Sequence, residues 1–283
     1  MKFHSILSES FKLDGGAMFG VVPKTLWQKT NPADVNNRIE ICSRSLLIED
    51  GNRLILIDTG MGNKQSEKFF NYYGRSHCEG LDVSLNKKGF HRDDITDVFL
   101  THLHFDHCGG AIIRTKSGLL EPSFKNAVFW SHESHWKWAT QPNPREKASF
   151  LKENIIPIKE SGKLNLIKGE GFLIENTPLN FDIILVNGHT EKQMLPVLKY
   201  QEKTLVFVAD LIPTVGHLPI PYVMGYDTRP LITMEEKSRF LKLAVEKNFL
   251  LFLEHDPNNE LITLKQSEKG VRMSEKHVLT DFF

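Results

Sequence analysis

Apolar residues in this chain come in short runs closed by turn-forming or charged residues, the pattern of strands buried in a sheet. Arg53–Ile57 (RLILI) follows the turn signal Asp50-Gly51-Asn52, which predicts a hairpin between residues 45–49 and 53–57. Further strands are predicted over residues 94–100, 126–130, 181–186, 204–208 and 250–253. Helical signals lie between them. Thr233 and Glu236 fit a capping box, followed by Phe240, Leu241, Ala244 and Val245 at helical spacing and by Asn248 as a stop. Residues 65–73 and 146–154 are predicted as further helices, the second after a loop marked by Pro142 and Pro144. Strands interleaved with helices place the chain in the mixed α/β class.

Five of the apolar runs end in residues able to do chemistry. They lead to Asp58, to Thr101 and His102, to Gly188-His189-Thr190, to Asp210, and to Glu254-His255. Strands that run side by side deliver their ends to one edge of a sheet, so residues far apart in sequence can be gathered there.

The 283 residues are 40% hydrophobic and 25% charged, an ordinary globular composition, and residues 1–283 read as a single domain. Lysine plus arginine number 35, as do aspartate plus glutamate. This neutral balance predicts neither a nucleic-acid nor a membrane partner. Cys42, Cys78 and Cys108 are too few and too scattered for a disulfide framework. Residues 1–12 lack the apolar core of a signal peptide, and no stretch approaches the roughly 18 apolar residues that cross a bilayer. A cytoplasmic protein is expected.

The densest chemistry is Thr101-His-Leu-His-Phe-Asp-His107, three histidines and an aspartate after a predicted strand. Imidazole and carboxylate are good ligands for zinc and similar ions. His102 and His104, two apart, point the same way from extended backbone, and a turn would bring Asp106 and His107 to a second position nearby. Gly109-Gly110 permits a close backbone approach. Cys108 reads as a buried thiol. His132 and His135 lack the spacing of a helical zinc pair and read as packing or surface residues, with His135 close to a pocket mouth. His4, His77, His91 and His277 carry no reading.

The string His102-x-His104-x-Asp106-His107 resembles the signature of the metallo-β-lactamase superfamily. The resemblance continues in order at Asp58 (Leu-Ile-Asp-Thr-Gly), His189, Asp210 and His255. It implies an αββα sandwich with the metal site at one edge of its two sheets. It implies two divalent metal ions, zinc or else iron, manganese or cobalt. His102, His104 and His189 would hold one; Asp106, His107 and His255 would hold the other; Asp210 would bridge them. Asp58 would orient a histidine, and Thr101 and Thr190 are candidates for similar support. A metal-bound hydroxide would attack a carbonyl or phosphoryl centre, and Asp106 could also carry a proton.

Within the superfamily the chain looks most similar to N-acyl homoserine lactonases of the quorum-quenching branch. Met18, Phe19, Trp27, Phe105, Tyr222 and Met224 are the expected apolar lining for a small substrate with an apolar part, and a homodimer is a possible assembly. The resemblance departs in two places. A substrate-holding tyrosine three residues after the bridging aspartate is replaced by Pro213, which makes His217, Tyr222 and Tyr226 the candidates for its task. Gly188-His189-Thr190 is followed by Glu191-Lys192-Gln193 rather than Pro-Gly. Organophosphate hydrolysis is the alternative activity. A thioesterase, a mononuclear iron persulfide dioxygenase and an inactive binding module are further alternatives.

Overall fold

The computed structural model describes all residues except His77 and Cys78, so the expectation for Cys78 lies outside the described residues. The chain forms two compact units: Met1–Ser10 with Ser43–Gly169, and Phe11–Cys42 with Glu170–Phe283. The mixed α/β class is observed. Among the described residues no helix is long and apolar enough to cross a membrane.

The first unit is built on a six-stranded sheet. Its strands are β1 (Lys2–Asp14), β2 (Arg38–Asp50), β3 (Arg53–Ile57) and β4 (Asp97–Phe99). A small ribbon of β5 (Ile112–Arg114) and β6 (Leu120–Pro122) intervenes before β7 (Val128–His132) and β8 (Leu164–Ile167), and the sheet order is β1-β2-β3-β4-β7-β8. The chain passes between units inside β1 and β2, after Ser10 and before Ser43. The expected hairpin is present, with Leu46 opposite Ile57. The strand expected over residues 94–100 is shorter, because Arg92–Asp94 forms a 3-10 turn that His91 caps. Strands β3, β4, β7 and β8 are parallel, so Asp58 and Thr101-His102 emerge at the same sheet edge. Leu56, Val98, Leu103, Phe129, Trp136 and Ile158 belong to one buried apolar cluster, each contributing about 1.5–3 kcal/mol by leaving water.

The helix Glu67–Tyr72 falls inside the expected span, but of the helix expected over residues 146–154 only the end, from Lys152, is helical. The helix starts at Lys152 and runs to Glu160 through Pro157. Proline lacks the N–H that would bond the carbonyl of Glu153, which hides this helix from a periodicity reading.

The second unit carries a seven-stranded sheet: β9 (Leu173–Ile174), β10 (Asp182–Val186), β11 (Gln193–Tyr200), β12 (Lys203–Phe207), β13 (Leu250–Phe252), β14 (Leu261–Ser267) and β15 (Gly270–His277). Antiparallel β11 lies between β10 and β12, and β13 is parallel to β12. Strands β10, β12 and β13 therefore run the same way and release Gly188-His189, Asp210 and Glu254-His255 at one edge. The helix Pro230–Glu246 packs on β14 and β15, buries Phe240, Leu241 and Ala244, and is followed by Asn248 in left-handed conformation (φ 52°). The expected capping box is corrected. The helix begins at Pro230 with Arg229 as its cap residue, Thr233 is already in the first turn, and Glu236 bonds a different segment.

Candidate metal centre

In the first unit the chain leaves β3 through Asp58, whose left-handed backbone (φ 57°) turns it out of the strand. Asp58 Oδ1 accepts from Thr101 N (2.8 Å), and Oδ2 accepts from Thr101 Oγ1 (2.6 Å) and His107 Nδ1 (3.0 Å). One buried carboxylate thus fixes both ends of the histidine segment. The segment's tail presses on residues 59–61. A Cβ at Gly109 would lie 2.1 Å from Met61 O, and one at Gly110 would lie 2.2 Å from Thr59 O. Both positions need the close approach that glycine allows.

His102 Nε2 and His104 Nδ1 face each other at 3.1 Å. Their other nitrogens meet oxygens, His102 Nδ1 at Thr101 Oγ1 (3.1 Å) and His104 Nε2 at Glu146 Oε1 (3.4 Å). Glu146 is buried and accepts from Trp138 Nε1 and Asn143 Nδ2, each at 2.6 Å. Sequence reading missed this residue by placing it in a helix; its signal was an acid set among aromatic and proline-rich residues. His135 is a buried support rather than a pocket-mouth residue: its Nε2 accepts from Leu103 N at 2.8 Å. His132 caps the helix Glu133–Thr140. Asp106 is buried, with Oδ1 4.0 Å from His107 Nε2. Burial raises the Cys108 thiol to about 12, opposed by Lys64, so it stays protonated. Phe105 meets Phe69 (5.4 Å between ring centres) and Tyr73 (4.8 Å), two aromatic neighbours that sequence reading did not name.

In the second unit Asp210 presents one carboxylate oxygen to each of two histidines: Oδ2 is 3.1 Å from His189 Nε2, and Oδ1 is 3.0 Å from His255 Nε2. Ala209, just before it, has φ 39°, which turns the chain at the end of β12. His189 Nδ1 bonds Asp227 Oδ1 (2.9 Å), and His255 Nδ1 bonds the Cys42 carbonyl (2.8 Å). Glu236 accepts from Asn187 N (2.7 Å) and Gly188 N (2.9 Å), holding the turn before His189. Burial pulls the pKa of His189 down, but Asp210 and Asp227 outweigh it and take the ring to about 10.

The expected substrate-side residues are arranged differently from the histidines. His217 is buried, with Nδ1 at Thr214 Oγ1 (2.9 Å) and Nε2 at Met18 O (2.9 Å). Both ring nitrogens are engaged within the unit, and burial lowers its pKa to about 3. Phe19 stacks between Trp27 and His217, and Met18, Phe19, Trp27 and Met224 are buried. Tyr222 is half-buried, edge-on to Phe19, and Tyr226 is exposed.

The donor chemistry fits metal ions. Each of the five histidines His102, His104, His107, His189 and His255 has one nitrogen set against an oxygen, the arrangement that fixes the tautomer of a ligating imidazole. With those nitrogens carrying the protons, His102 Nε2 and His104 Nδ1 direct lone pairs at each other, a repulsion that a cation relieves. At Asp210 the pull on His189 is that of a carboxylate on a positive charge, and a metal ion on Nε2 would supply that charge in place of the proton. Two ligands about 2.1 Å from a tetrahedral ion lie roughly 3.4 Å apart, close to the separations seen.

Residues 43–255 match the model of the metallo-beta-lactamase superfamily. The N-acyl homoserine lactonase AiiB of Agrobacterium fabrum is 33% identical over 122 residues, which are 39% of this chain and 44% of that protein. The chain thus matches less than half the length of this curated relative. Among solved structures, a probable metal-dependent hydrolase from Staphylococcus aureus has a TM-score of 0.85 at 28% identity, covering 98% of each chain. AidC, a dizinc quorum-quenching lactonase, has a TM-score of 0.79 at 22% identity, covering 98% of this chain and 94% of that one. The hydrolase AbOPH has a TM-score of 0.78 at 20% identity over the same shares; the last two likenesses bear on the fold alone. With its signature histidines buried and held as described, the chain belongs to the metallo-beta-lactamase superfamily.

Proposed function

We propose that this protein is a dinuclear metal-dependent hydrolase that opens a lactone or similar ester bond in a small substrate with an apolar part, an N-acyl homoserine lactone being the leading candidate. His102, His104 and His189 would hold one divalent ion, zinc by the donor set; Asp106, His107 and His255 would hold the second; Asp210 would serve both. The observation that carries this reading is the Asp210 carboxylate, one oxygen turned to His189 and the other to His255. Bound metal would supply hydroxide near neutral pH and polarise the carbonyl under attack. Asp58, Glu146 and Asp227 keep the ligand imidazoles in one tautomer and orientation. Asp106 moves the proton from the attacking water to the departing alkoxide oxygen. The half-exposed ring of Phe69, beside Phe105, offers apolar contact to an acyl chain. Since both nitrogens of His217 are engaged, it holds its loop, and Tyr222 takes the substrate-holding task of the tyrosine that Pro213 displaces.

That displacement favours a second reading, hydrolysis of a phosphotriester, which has no carbonyl for a tyrosine to hold. Initial rates on a long-chain N-acyl homoserine lactone and on an aryl phosphotriester, with Asp210→Asn as control, decide between them. Lactone turnover is expected to fall about a hundredfold or more in Asp210→Asn, since loss of even an outer partner of a ligand costs about 10–100-fold. Unchanged turnover in that variant overturns the role of Asp210, and phosphotriester turnover alone moves the substrate class.

A further inference from the structure

A buried lysine in the second unit has three acceptors from a single loop. Lys237 is fully buried on the helix Pro230–Glu246. Its Nζ donates to the carbonyls of His217 (3.0 Å), Pro219 (3.1 Å) and Tyr222 (2.9 Å). An ammonium has three N–H donors, and each is spent here on backbone. Among the described residues Lys237 forms no ion pair with a carboxylate. Burial pulls its pKa down to about 7, and the charge of Asp227 opposes that shift.

The gripped loop leads to His189. Beyond Tyr222, Gly225 N bonds Ala17 O (2.8 Å), Asp227 Oδ1 meets His189 Nδ1 (2.9 Å), and Thr228 N bonds His189 O (3.1 Å). A lysine that only stabilised the fold could take acceptors from any neighbouring segment. All three here come from the stretch that ends at the partner of His189.

We propose that Lys237 is a positioning residue: its ammonium fixes residues 217–222 so that Asp227 is held on Nδ1 of His189, which sets the tautomer and direction of that ring. The inference rests on the reading of His189 as a metal ligand.

The test follows the imidazole directly. In the metal-free protein, the His189 Nδ1–H resonance is identified by its loss in His189→Gln and its displacement in Asp227→Asn. In Lys237→Met it is expected to broaden or shift as in Asp227→Asn. Zinc affinity by chelator competition is expected to fall about tenfold in Lys237→Met. The double variant with Asp227→Asn is expected to bind zinc no more weakly than Asp227→Asn alone. A folded Lys237→Met with an unmoved His189 signal overturns the proposal, as do multiplicative losses in the double variant. If Lys237→Met does not fold, Lys237→Gln, which keeps two N–H donors, is judged by the same criteria. A displaced His189 signal in a protein whose wild type neither binds zinc nor hydrolyses ester would sink the proposed function and leave the role of Lys237 standing.

Discussion

At His104 a carboxylate settles which ring nitrogen faces His102. Glu146 sits on Nε2, leaving Nδ1 to face His102. Replacing Glu146 with alanine is expected to weaken zinc binding about 10–100-fold while leaving the fold intact, measured by chelator competition with circular dichroism as the check on folding. Glu9 shows the same economy of buried acids with a different readout. Burial raises its pKa to about 7, against the Arg75 charge and the Met61 N–H. Native Glu9 therefore keeps a proton that the unfolded chain has released above about 4.5. The native state binds more protons across that window, so this contribution to stability falls as pH rises from about 4.5 to about 7. The total is on the order of 3 kcal/mol. Glu9→Gln cannot titrate, and denaturant midpoints from pH 4.5 to 8 are expected to show the variant gaining on the wild type throughout that rise.

Among elements, the long helix Pro230–Glu246 organises the second unit's loops. Thr233 in its first turn leaves no room beside Gly188, where a Cβ would lie 2.3 Å from Thr233 N. Gly188→Ala is expected to cost about 1–3 kcal/mol through overpacking and to weaken zinc binding, read by denaturant unfolding beside a metal titration. This contact was not legible in the sequence: Gly188 and Thr233 are joined by folding alone. Elements with strong local signals were legible. The hairpin at Gly51-Asn52, the runs leading to Asp58, His102, Asp210 and His255, and the Asn248 stop all declare themselves through apolar runs and turn chemistry. β1 was hidden because its charged and polar residues, Glu9 among them, interrupt any alternation. The β14–β15 hairpin was hidden because much of it faces solvent and reads as polar loop. The signature histidines were legible because their residue types are rare in company. The residues that hold them, Glu146, His135 and Asp227, were not, since an ordinary acid or histidine acquires such a role only when distant segments meet.

At the scale of the whole molecule, metal and stability are coupled. Anything that binds the folded chain and not the unfolded one stabilises it, by about 2.7 kcal/mol at a free concentration a hundred times Kd. Thermal unfolding with and without a chelator is therefore expected to differ by several degrees, with the gap closing in His189→Gln; an unchanged melting temperature would argue against metal in the folded state. The order in which the chain is written has its own consequence. All the residues of the first unit have been made once Gly169 is joined, whereas Phe11, Met18, Phe19 and Trp27, although they precede most of that unit in sequence, belong to the second unit. Phe19 stacks on His217 as well as on Trp27, so one of its two partners is almost two hundred residues away along the chain. At roughly 5–20 residues per second that is a wait of about 10–40 seconds on the ribosome. For that time the stack on Phe19 is only half built, with Trp27 at hand and His217 still to come.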